Sequence, residues 1–85
     1  MKNSLTEALQ TPEQAKLSYV ETQIEEMQAI IRRNEVDIYI IDNVEQETSA
    51  AKRSVEAQRA QFVETNEGLV KAIAALKKLK AELEA

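Results

Sequence analysis

From Leu17 onward, apolar residues along this chain return at alternating steps of three and four. Leu17, Val20, Ile24, Met27, Ile31, Asn34, Ile38 and Ile41 form one series, with Asn34 its single polar member. A second series runs through Thr48, Ala51, Val55, Gln58, Phe62, Thr65, Leu69, Ala72, Leu76, Leu79 and Leu83. Steps averaging 3.5 residues mark the inward seam of a coiled coil, so the pattern predicts two long helices with one apolar stripe each. Asn34 set into a seam fixes register at some cost in stability, and Thr48, Gln58 and Thr65 weaken the second seam in the same way; partial exposure toward the bend is the expected reason for these polar positions, with a polar network or a ligand pocket the alternative.

The two series are out of phase. Extending the first puts its next core position at Glu45, whereas the second begins at Thr48. Such an offset is either a stammer within one continuous helix or a place where the chain reverses. Capping chemistry favours reversal. Asp42 with Glu45 three residues later makes a capping box, and Thr48 and Ser49 offer an alternative start. The bend is therefore expected within residues 42–49. Charge agrees: folding back sets Glu13, Glu21, Glu25 and Glu26 beside Lys71, Lys77, Lys78 and Lys80.

The first helix has a clear start. Thr11 is a good N-cap, Pro12 is pre-organised for the first helical position, and Gln14 can complete a capping box. Residues 1–11 are an N-terminal segment in which Ser4 to Leu9 could make a short helical turn, and residues 12–85 are the hairpin. Gly68 lies inside the second helix, where it costs roughly 1 kcal/mol relative to Ala. A close approach of two backbones would account for it.

The stretch from Val36 to Val44 departs from the rest. Six of its nine residues are apolar, five of them β-branched. A strand there has no pairing partner in this chain. As a helix, at about 100° per residue, Val36, Ile38, Tyr39, Ile40, Ile41 and Val44 spread around most of the circumference. A helix apolar all round is buried all round. These six residues are the expected oligomer interface, because a chain of 85 residues is short of material to cover them itself.

Composition narrows the function. Hydrophobic content is 44%, but much of it is alanine, and Tyr19, Tyr39 and Phe62 are the only aromatics. A lone pair of helices hides one stripe each, so burial against a second chain is expected. There is no cysteine and no histidine. Disulfides, thiol nucleophiles, Cys/His metal sites, Ser-His triads and Glu-x-x-His di-iron motifs are thereby excluded, and a single glycine rules out a Gly-rich phosphate loop. No enzyme, cofactor or metal is expected. Net charge is −4, with four basic and eight acidic residues in positions 1–43 and seven of each in 44–85. With no basic cluster beyond Lys77, Lys78 and Lys80, a nucleic-acid partner is not expected. Nor is a membrane partner: the longest apolar run, Ala72 to Leu76, is too short for a bilayer, and MKNSLTEALQ has no apolar leader core. The default location is cytoplasmic, or within an assembled particle.

The expected protein is all-α: an antiparallel helical hairpin that self-associates into a bundle and acts without catalysis as a protein–protein interaction or assembly element. In composition and layout it resembles small accessory proteins of phages and bacteria, such as scaffolds, assembly chaperones and virion components, although no diagnostic residues carry that resemblance. The competing reading is a helical oligomer that binds a small anionic ligand such as a nucleotide, with Tyr19 and Tyr39 stacking and Arg32 and Arg33 contacting the anion. A third is a small acidic inhibitor of a protein target.

Overall fold

A computed structural model describes residues 11–85, so the short N-terminal helix expected over Ser4 to Leu9 lies outside the described residues. Helix α1 runs Pro12–Asn43 and helix α2 runs Ser49–Glu84, packed against each other as an antiparallel hairpin. The molecule is 60 Å long. One continuous helix of this length would measure about 110 Å at 1.5 Å per residue, so the phase offset is a reversal and not a stammer.

Local chemistry explains the boundaries. The Gln14 N–H donates to Thr11 Oγ1 at 3.1 Å, and the Thr11 N–H donates to Gln14 Oε1 at 3.0 Å, which completes the expected capping box. At the far end of α1 the Asn43 amide donates to the Tyr39 carbonyl at 2.8 Å, and the Val44 N–H donates to the Ile40 carbonyl at 2.9 Å. The second bond occupies one of the carbonyls that a helix end leaves open, and the first adds a side-chain donor to a carbonyl of the last turn. Of the two proposed starts for α2, the chain uses Thr48, whose hydroxyl accepts the Ala51 N–H at 3.1 Å. Asp42 is not a cap; it lies in the last turn of α1 and pairs with Arg59. The reversal takes residues 44–48 with no positive φ among the described residues, so it needs no glycine.

Every member of the α1 seam, Leu17 to Ile41, is buried or half-buried. The α2 seam differs from the sequence pattern at every second position. Val55, Phe62, Leu69, Leu76 and Leu83 point inward as expected, but the residues between them are Arg59, Asn66, Ile73 and Lys80 in place of Gln58, Thr65, Ala72 and Leu79. Ala72 stays half-buried at the edge, while Gln58, Thr65 and Leu79 face solvent. The reason is pairing across the seam. Asn66 meets Asn34, Arg59 meets Asp42, Lys80 meets Glu21, and Ile73 brings a larger apolar side chain than Ala72. Gly68 is also a correction. A Cβ there would meet nothing within 4 Å, so no close backbone approach requires it.

Candidate functional site

The apolar core is concentrated toward the end of the hairpin away from the bend. Val20, Ile24 and Ile73 are its buried members, with Met27, Ile31, Leu76 and Leu83 packed on them. Lys80 lies over this part and reaches Glu21 at 3.4 Å. Its aliphatic stem covers apolar surface while its ammonium stays in water.

Toward the bend the seam turns polar. Asn34 is 5% exposed and donates from Nδ2 to Asn66 Oδ1 at 2.9 Å; Asn66 Nδ2 in turn donates to the Ile31 carbonyl at 3.3 Å. No buried side-chain donor or acceptor among the described residues lacks a partner. Because an amide pair is satisfied only when the two side chains stand level, this contact sets how far α2 slides along α1. Further along, Arg59 grips Asp42 with two bonds, Nε to Oδ1 at 2.7 Å and Nη2 to Oδ2 at 3.0 Å. The hydrogen bonds and charge of Arg59 hold the Asp42 carboxyl below the ordinary aspartate range, and Asp42 raises Arg59 in return.

Beside the amide pair the helices part to leave an open groove of about 690 Å³. Its apolar walls are Ile31 and Ile38 from α1 with Val63 and Val70 from α2; Glu35, Glu67 and Lys71 form its rim. Val70 is 57% exposed. A smaller cleft of about 320 Å³ lies at the bend, between Ile41, Val44 and Val55, next to the Asp42–Arg59 pair.

The six expected interface residues divide. Ile38 and Ile41 are half-buried members of the α1 seam and turn toward α2. Val36, Tyr39, Ile40 and Val44 are exposed, at 58% for Val36 and 67% for Tyr39. Val36 follows Asn34 by two residues and so stands about 200° round the helix from it, on the side of α1 away from α2. Tyr39 and Ile40 repeat that face one turn on. These residues make a second apolar stripe that nothing in the hairpin covers, with exposed Arg32 and Arg33 one turn before it.

The four candidate ligand residues are not brought together within one chain. Tyr19 and Tyr39 are both exposed on α1, separated by twenty residues, or about 30 Å of helix. Arg32 and Arg33 lie near Tyr39 only, and none of the four lines either cleft described above. The groove residues Val63, Asn66 and Val70 went unread in the sequence, because the α2 frame there was anchored on Thr65 and Ala72. The signal that would have found Asn66 was the lone polar residue opposite it, Asn34.

No helix among the described residues is long and apolar enough to cross a membrane. Compared with models of known protein families, with curated proteins and with solved structures, the chain matches none.

Proposed function

We propose that this protein is a non-catalytic assembly element, a helical hairpin that works as a homo-oligomer and holds copies of itself, or a further protein, through exposed apolar helix faces. The observation that carries this reading is the uncovered stripe of Val36, Tyr39 and Ile40 on the outer side of α1, with exposed Val44 just beyond its end. Isolated exposed apolar residues are ordinary on a protein surface, but a cluster at helical spacing marks a docking face. The hairpin has a second reason to associate. Among the described residues only three apolar side chains are buried, a small core for a chain of this size.

The test is the mass in solution, measured by light scattering, of the wild type and of Ile40→Glu. Ile40 is exposed in the hairpin, so the substitution leaves the fold of the single chain intact. The expected wild-type mass is a multiple of 9.6 kDa, and the variant falls to one chain with its helicity unchanged. A wild type that stays at one chain throughout the accessible concentration range refutes self-assembly.

A further inference from the structure

We infer that the groove between the helices is the receptor for the outer stripe of α1 on a second copy of this chain. The inference rests on the self-assembly proposed above and says which surface meets which.

Two features of the groove select this occupant. First, it fits in length. The walls run from Ile31 to Ile38 and from Val63 to Val70, about 10 Å along the helices, and the helical part of the stripe, Val36 to Ile40, measures about 6 Å. One turn of helix thus fits within a two-turn slot, with Val36, Tyr39 and Ile40 at the three- and four-residue steps by which a helix enters a groove. Second, the charges match. Glu35 and Glu67 stand on the two walls, and Arg32 and Arg33, adjacent cations on α1, border the stripe. Lys71 is the one cation on the rim, and it lies on the α2 wall beside Val70. In a chain of net charge −4, contact between copies is otherwise repulsive, so the approach that puts the arginines against the glutamates is favoured.

Groove and stripe are different patches on one molecule, so each copy both gives and receives. Made once per pair of copies, the contact repeats head-to-tail into a ring or a filament; made reciprocally about a two-fold axis, it closes a dimer.

Two variants test this, each altering a side chain exposed in the hairpin: Ile40→Glu removes the stripe, and Val70→Glu blocks the groove. Light scattering gives the mass, and far-ultraviolet dichroism confirms that each variant stays helical. The expected result is a wild type of two or more chains, each variant at one chain, and a mixture of the two variants at two chains that grow no further. That mixture holds one intact stripe and one intact groove. If Val70→Glu assembles like the wild type, or the mixture stays at one chain while the wild type assembles, the stripe-in-groove contact is overturned and self-assembly stands. If the wild type is itself a single chain, both fall.

Discussion

At the end of the hairpin where the helices begin and finish, Val20, Ile24 and Ile73 are closed off from water, and Lys80 lies over them to reach Glu21. At the end where the chain turns, the one buried side chain is an amide, Asn34, and four large apolar residues face outward. Both ends belong to the same pair of helices and the same seam. The difference shows two uses of apolar material. In the first region most large apolar side chains, though not Tyr19 or Leu79, have a place inside the chain, and burial stabilises the hairpin directly. In the second, Val36, Tyr39 and Ile40 stand on the wrong side of α1 to contribute to the hairpin. The seam beneath them carries polar contacts that specify alignment more than they stabilise. The proposed docking face therefore lies in the bend half.

This contrast can be broken by substitution. The largest effect is expected from Ile24→Ala in the closed half: about 2–5 kcal/mol of stability, enough to unfold a small domain, read as lost helicity or a lowered denaturation midpoint. Asn34→Ala strands the Asn66 carbonyl and should cost about 1–3 kcal/mol in the same measurement. Replacing both amides by Leu should instead preserve or raise stability while loosening register, seen as broadened amide resonances near the bend. A smaller effect follows from Asp42. Its folded-state pKa lies below the ordinary value of 3.8, so the pair with Arg59 stabilises above that value and fades as pH falls through the depressed one. Asp42→Asn should thus be less stable than wild type at neutral pH, with the gap closing in acid. The smallest effect has the opposite sign. Gly68→Ala meets open space within a helix, and should raise stability by roughly 0.5–1 kcal/mol.

Much of the hairpin was legible in local residues. Thr11, Pro12 and Gln14 announced the start of α1 because a cap is a contact within one turn of chain, and the α1 seam was readable because its members are large and apolar. The α2 seam was not. There, two frames one residue apart compete at every second position, and the apolar count, Ala72 and Leu79 in one against Ile73 alone in the other, favours the wrong one. What decides between them lies on the other helix: Asn34, Asp42 and Glu21 each hold a partner that periodicity alone reads as a surface residue. Asp42 was misread as a cap for the same reason, since its true partner is seventeen residues away. The outer stripe was visible as an excess of apolar residues in one stretch. Its division into an inner pair, Ile38 and Ile41, and an outer group required the position of α2. The groove could not be read at all, because it is a space between two helices and no single segment encodes it.

The most direct test of the account is the thermal midpoint of the wild type against protein concentration. If the bend half is completed by another copy, assembly stabilises the folded chain by mass action, and the midpoint rises as concentration increases. The account predicts that rise, together with a flat profile for Ile40→Glu. A wild-type midpoint that stays constant over the same range would contradict it and leave the hairpin a monomer with an idle apolar stripe.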